Sequence, residues 1–308
     1  MTDCKRNAMN RLIIFLAIAC CGATACEHPP KAAVVFQSDF GLKDGAVSAM
    51  KGVAVEVDPT LKLYDLTHEI PVFNTWEAAY RLQQTAPYWP AGTVFVSVVD
   101  PGVGTERKSV VLKTKTGHYF VTPDNGTLTL IAESLGIDEV RQIDEELNRR
   151  KDSQRSYTFH GRDVYAYTGA RLAAGVISFE QAGALLPAEV VKIPYRRAVW
   201  QGNTVEGSIP ILDIQFGNVW TNIKDSVFNQ LQAKIGEEVE VSVAYLDSVV
   251  YRQKIPYAQT FGALPKGQPL VYINSLLNVA LAINQGSFAD SFHIGSGPDW
   301  NITIKKQE

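Results

Sequence analysis

Asp100 and Arg107 stand seven residues apart in Val98–Arg107 (VVDPGVGTER), separated by Pro101 and two glycines. Such a turn can fold the guanidinium back onto the carboxylate. A second polar cluster, Thr158–Asp163 (TFHGRD), supplies His160. Carboxylate, guanidinium and imidazole at strand ends suggest an enzyme, since α/β proteins build their sites there. Asp100 and Arg107 are equally suited to an ion pair that braces a turn, and an isolated histidine such as His160 is more often structural than catalytic. Asp213 ends an apolar run before a Phe-Gly-Asn turn, where its plainest use is turn capping.

Other chemistries fit less well. Gly102-Val103-Gly104 lacks the third glycine of a dinucleotide fingerprint. The next segment, Lys108–Lys113, reads as a strand where the fingerprint needs a helix. Ser296 lacks a nucleophile elbow. Asp39, Asp44, His68, Asp100, His160 and Asp163 could ligate a metal, but no HExxH or H-x-H spacing is present. The expectation is a chain without metal or cofactor.

These residues need a scaffold. Ala33–Gln37 reads as a buried strand and Lys62–Leu66 and Thr93–Val99 as a second and third strand, with helical spacing over Ala46–Val57 and Asn74–Ala86. Ser109–Lys113 and His118–Val121 read as a hairpin around Thr116-Gly117. Thr127–Leu135 and Asp163–Ala174 are helical in pattern. This alternation predicts an α/β domain with a largely parallel sheet over residues 33–187. Short β-rich runs then take over: Thr204–Asp213, Asn218–Ile223, Glu237–Tyr245, Leu270–Asn274 and Asn301–Lys305. They predict a smaller all-β barrel-like or sandwich-like domain over residues 188–308.

The 308 residues, 46% hydrophobic and 20% charged, can form a full core. The formal charge of −3 and the lack of a basic stripe exclude nucleic acid as the expected partner. Lys5, Arg6 and Arg11 precede an apolar run, Leu12–Ala19, and a small-residue stretch, Gly22–Ala25. This predicts a signal peptide over residues 1–26 and a tether over 27–32. All four cysteines lie in the first 26 residues, so the body has no disulfide and no thiol nucleophile. Cys26 resembles a lipoprotein cleavage site. The expectation is export to the periplasm or cell envelope, with a lipid anchor at Cys26 or as a soluble form.

Seven segments in order give a more specific reading: SDFGLKDG (Ser38–Gly45), DLTHEI (Asp65–Ile70), VVDPGVGTER (Val98–Arg107), TPDNG (Thr122–Gly126), FHGRD (Phe159–Asp163), FGNVWTNI (Phe216–Ile223) and YINS (Tyr272–Ser275). With them the chain resembles the S-adenosylmethionine (SAM) hydroxide adenosyltransferases, adenosine-forming SAM hydrolases related to fluorinases and chlorinases. The resemblance spans Ala33–Ile304. It implies an α/β domain followed by a β-barrel-like domain. It also implies a homotrimer with SAM held between subunits.

It further implies an Asp-Arg-His triad for the nucleophilic water, here Asp100, Arg107 and His160. Halogenases place small hydroxyl or aromatic residues where this chain has Asp100 and Val103, and a halide-contacting serine where it has Gly161. By the same resemblance Asp39 grips the ribose diol, and Phe73 packs on the sugar and sulfonium. Asp213 pairs with the methionine ammonium, Asn218 meets the adenine edge, Phe261 stacks on adenine, and Ser275 contacts the methionine carboxylate. Leu276 stands where some relatives carry an arginine for that carboxylate. The implied activity is metal-independent hydrolysis of SAM to adenosine and methionine. Two other classes remain open: an exported SAM- or adenosine-binding protein with little turnover, and a metal-dependent hydrolase.

Overall fold

The apolar runs pair as a seven-stranded sheet in the computed structural model, which describes residues 31–306. The expected signal peptide, Cys26 and most of the tether lie outside the described residues. In chain order the sheet and its helices are β1 (Val34–Ser38), α1 (Ala46–Val57), β2 (Leu63–Thr67), α2 (Thr75–Thr85), β3 (Val94–Val98), β4 (Ser109–Thr114), β5 (Tyr119–Pro123), α3 (Thr129–Ser134), β6 (Ile137–Gln142), α4 (Tyr167–Ala173) and β7 (Leu185–Leu186). The strand order is β2-β1-β3-β5-β4-β6-β7. The first four strands in that order run parallel, and β4, β6 and β7 add on by antiparallel pairing.

Strands β1 and β3 are buried along their whole length. A central parallel strand is covered on both faces, so it reads as an unbroken apolar run. Side chains still alternate between faces. Val34, Phe36, Val94, Val96 and Val98 pack with α1 and α4 on one side. Val35, Phe95, Val110 and Phe120 pack with Leu82 of α2 and Ile131 of α3 on the other. Helix α1 buries Val47, Met50, Val53 and Ala54, one stripe at helical spacing. Helix α2 starts at Asn74, whose side chain accepts the Glu77 N–H at 2.9 Å.

The chain then builds two antiparallel sheets. Their strands are β8 (Val199–Gln201), β9 (Thr204–Ile209), β10 (Ile211–Asp213), β11 (Asn218–Lys224), β12 (Glu238–Tyr245), β13 (Ser248–Pro256), β14 (Pro269–Ile273), β15 (Asn278–Ile283) and β16 (Gly297–Lys306). One sheet has the order β10-β11-β15-β14 and the other β13-β12-β16-β9-β8. Val239, Val241 and Val243 of β12 meet Val219, Val271 and Leu281 of the facing sheet in one core. The fold class is the expected one, α/β followed by β-rich.

Five strands escaped the sequence reading, among them β7, which is only two residues long. β6 (IDEVRQ) carries four polar residues in six, because one side of it is largely solvated. β8 is three exposed residues. β13 alternates two buried positions among exposed ones. β15 (NVALAI) is rich in alanine, which has low strand propensity.

The strand order reverses between β1 and β3, since β1 leads outward to β2 while β3 leads the other way to β5. Open α/β sheets bind ligands at such a switch point, beyond the carboxyl ends of the strands. Ser38 pairs with Val98 in register, so Asp39 and Asp100 emerge near one another there.

Candidate active site

The turn after β3 is closed by hydrogen bonds from Val103 N–H to Asp100 O at 3.2 Å and from Thr105 N–H to Gly102 O at 3.1 Å. Gly104 takes the left-handed conformation (φ 78°) that the turn requires. It returns Arg107 to Asp100 in a two-point contact: Nε lies 3.0 and 3.1 Å from the two carboxylate oxygens, and Nη2 lies 2.5 Å from Oδ2. Such paired, charge-assisted bonds fix orientation as well as charge. Burial works against the charge on Arg107, but the Asp100 hydrogen bonds outweigh it and hold its pKa above the ordinary value.

The network continues from Arg107. Its Nη1 donates to Ser109 Oγ at 3.1 Å, and Ser109 Oγ donates to Glu145 Oε1 at 2.9 Å. Tyr165 Oη lies 3.2 Å from the same Ser109 oxygen. Glu145 Oε2 is 3.3 Å from His160 Nε2 and 3.2 Å from Arg149 Nη1. The His160 contact first, and the Ser109 hydroxyl after it, hold the Glu145 carboxyl below the usual range against the effect of burial. Burial and the charge of Asp100 push the Tyr165 phenol well above its ordinary pKa. Tyr165 is therefore a neutral hydroxyl here.

His160 is 4% exposed and opens a π-helical turn, Gly161–Ala166, that leads into α4. Such turns are uncommon and gather at functional positions. A side chain at Gly161 would put its Cβ 3.0 Å from Val98 Cγ1 and 3.1 Å from Phe40 Cε2. The glycine thus lets the turn close against β3 and the loop after β1.

Asp39, Phe73, Asp100, Val103, His160 and Gly161 line one pocket of about 230 Å³ at the switch point. Asp39 Oδ2 accepts the backbone N–H of Phe73 at 2.9 Å. Phe73 has φ 67° and a side chain 67% exposed. A bulky residue in that conformation is strained and needs an anchor, which Asp39 supplies. The loop is braced from below by Ser38, His68 and Asp65, with 2.7 Å from Ser38 Oγ to His68 Nδ1 and 3.0 Å from His68 Nε2 to Asp65. That row has the composition of a hydrolytic triad, but Ser38 is fully buried and accepts the Phe40 N–H. The row therefore serves as a bracket for the loop.

Asp213, Asn218, Phe261 and Ser275 line a second, larger cavity of about 890 Å³ in the β-rich part. Asp213 O accepts the N–H groups of Phe216 and Gly217 at 3.2 and 2.7 Å. Its carboxylate accepts from Asn218 Nδ2 at 3.1 Å. Phe261 packs on Tyr272 with centroids 4.9 Å apart. The two cavities share no lining residue. The structure therefore gathers the N-terminal set of expected residues in one place, with Arg107 behind Asp100, and the C-terminal set in another.

The turn of the second cavity depends on Gly217. It has φ 66°, and a Cβ would fall 1.9 Å from Ser287 Oγ and 2.6 Å from Ser287 Cβ. Gly217→Ala is expected to destabilise the protein by about 1–3 kcal/mol, from overpacking added to a disfavoured backbone angle. Chemical denaturation would read this, and an unchanged midpoint would refute it.

Among the described residues no group of three or more His, Cys, Asp or Glu could hold a metal ion. The acids and histidines considered for one are otherwise engaged. Asp44 accepts the Ala46 N–H, His68 belongs to the bracket, and Asp163 pairs with Arg162 at 2.7 and 2.8 Å. Sequence reading missed Ser109, Glu145 and Tyr165. Ser109 follows Arg107 by two residues and Tyr165 follows His160 by five, but Glu145 carries no local signal.

Two family models match the chain: the SAM hydroxide adenosyltransferase N-terminal domain over residues 34–183 and its C-terminal domain over residues 207–301. An (R)-S-adenosyl-L-methionine hydrolase of Methanocaldococcus jannaschii is 38% identical over 70% of this chain and 79% of its own. One from Salinispora tropica is 34% identical over 88% and 97%. Fluorinases match at lower identity. The crystal structure of an uncharacterised conserved protein from Thermotoga maritima superposes with a TM-score of 0.82 at 35% identity, covering 89% of this chain and all of the other.

These comparisons correct one expectation. The chain is similar to (R)-S-adenosyl-L-methionine hydrolases over its body and the family match begins only at residue 34, so the inferred export to the periplasm or envelope is withdrawn. That inference came from the composition of the first 26 residues alone. Among the described residues no helix is long and apolar enough to cross a membrane.

Proposed function

The chain belongs to the SAM hydroxide adenosyltransferase family, and from that we infer that it hydrolyses S-adenosyl-L-methionine to adenosine and L-methionine. The observation that carries the site assignment is the two-point Asp100–Arg107 pair, set in one switch-point pocket with His160 and Gly161.

The chemistry asks little of the protein beyond placement. The sulfonium is already activated, and methionine leaves as a neutral thioether with the C5′–S electron pair. The leaving group needs no proton. A water must lie in line with the ribose C5′ and lose a proton as its oxygen bonds to carbon. In this reading Arg107 holds Asp100 to orient the water, and His160 takes the proton. Nδ1 is the His160 nitrogen with no hydrogen-bond partner among the described residues. Asp100 also attracts the sulfonium, an attraction that its paired Arg107 cation offsets in part. Holding the reactants in line is worth several orders of magnitude in effective molarity.

The remaining contacts are divided between the two cavities. Asp39 takes the ribose diol and Phe73 the sugar and sulfonium. Asp213 takes the ammonium, Asn218 and Phe261 the adenine, and Ser275 the carboxylate. One SAM needs both sets, so the half-sites are completed between subunits of a homotrimer. Exposed apolar residues beside each cavity support this: Val72 and Phe73 at the first, Ile214 and Phe216 at the second. Surfaces of that kind are usually covered.

Turnover in H₂¹⁸O tests the reaction. Label is expected at the 5′ oxygen of adenosine, with EDTA-treated protein as active as untreated. Adenosine without label, or chloride incorporation, would overturn the water mechanism. Binding without adenosine would favour a SAM-binding protein, and loss to EDTA restored by zinc would favour a metallohydrolase.

A further inference from the structure

Asp100 and Arg107 pair directly, but neither makes a hydrogen bond or ion pair with His160. Among the described residues, hydrogen bonds and ion pairs lead from Arg107 to His160 through Ser109 and Glu145. Glu145 is half-buried and lines a separate cleft of about 450 Å³, whose walls include Arg107, Lys108 and Ser109 but neither Asp100 nor His160. It thus meets the imidazole from the side away from the proposed substrate pocket.

We propose that Glu145 is the positioning residue of this site: it holds His160 by Nε2–H, leaves Nδ1 with the lone pair that accepts the water proton, and stabilises the imidazolium that forms. The proposal rests on His160 being the base. Water oxygen bonds to C5′, the C5′–S pair goes to sulfur, and one water proton goes to Nδ1. The Nε2 proton stays shared with Glu145 until the imidazolium releases its extra proton to solvent.

Three features support the assignment. Glu145 has one oxygen on Ser109 and the other between His160 and Arg149, so its carboxylate is fixed in place and ionised. Arg149 lies over the Tyr157 ring at 4.6 Å, which fixes that partner in turn. Nδ1 of His160 is buried and has no hydrogen-bond partner among the described residues, so no protein donor there competes for its lone pair. Such a carboxylate–imidazole pair sets the tautomer and need not take the proton itself.

The charged and titratable groups around Glu145 come from four segments. Arg107 and Lys108 come from the turn after β3, and Asp144, Glu146 and Arg149 from the segment after β6. Tyr157 and His160 precede the π-helical turn, and Tyr165 lies within it. Only Arg149 and His160, among the described residues, make direct ionic contact with Glu145.

Glu145→Gln should lower turnover by roughly 10²-fold or more with little change in the KM for SAM, because an amide can present N–H to Nε2 and reverse the tautomer. Glu145→Asp should recover part of the rate. In the unsubstituted protein, ¹⁵N NMR of His160 should show the proton on Nε2. A near-normal rate in Glu145→Gln, or a proton on Nδ1, would overturn the proposal. If Glu145→Gln does not fold, the NMR measurement alone decides. His160→Ala separates the two readings: if it is dead while Glu145→Gln is normal, only Glu145 has been misassigned, whereas a normal His160→Ala removes the base as well.

Discussion

His160→Ala is expected to lower SAM turnover by roughly 10²–10⁴-fold, the usual range for losing a general base, while SAM affinity changes little. The imidazole is buried in the pocket wall and contacts Glu145. It has no place in the contacts proposed for ribose, adenine or methionine, so its loss should appear in kcat. Arg107→Lys should also be slow. A lysine cannot span both Asp100 oxygens or donate to Ser109 at the same time, and Arg107 does both. Single-turnover kinetics would separate binding from chemistry. Near-normal rates in both variants would return the cluster to a structural ion pair and a structural histidine.

The second large effect is complementation. Asp100→Ala and Asp213→Ala chains should each be nearly inactive, because each loses one half-site. If the half-sites are completed between subunits, mixing the two after denaturation and refolding should restore about a quarter of full activity at a 1:1 ratio. In random assembly about one interface in four brings together an intact N-terminal set and an intact C-terminal set from different chains. The separation of the two cavities motivates the experiment. A fully active monomer, or mixed assemblies with no recovery, would place the whole site within one chain.

Much of this molecule is legible in its sequence. The Asp100–Arg107 pair can be read because both partners lie in one turn, where Pro101 and the glycines restrict the backbone. Strands β1 and β3 can be read because central parallel strands have no polar face. The placement of His160 with Asp100 is different. They are sixty residues apart, and only the ordered motifs of a family, not spacing, join them. The export reading shows the converse danger. A basic, apolar and small-residue series is a compositional pattern that the rest of the chain does not constrain.

The sequence alone determined the α/β-then-β order, the turn that pairs Asp100 with Arg107 and the family to which the chain belongs. The tertiary structure decided the rest. It brought Glu145, just past an unrecognised strand, to His160 and joined both to Arg107 through Ser109. It put Phe73 at a positive φ anchored by Asp39, and it kept the two sets of binding residues in separate cavities. The physical reason is range. Contacts within a turn depend on a few neighbouring dihedral angles and so on local residue types, whereas contacts across a sheet depend on strand order and register, which packing of the whole core selects.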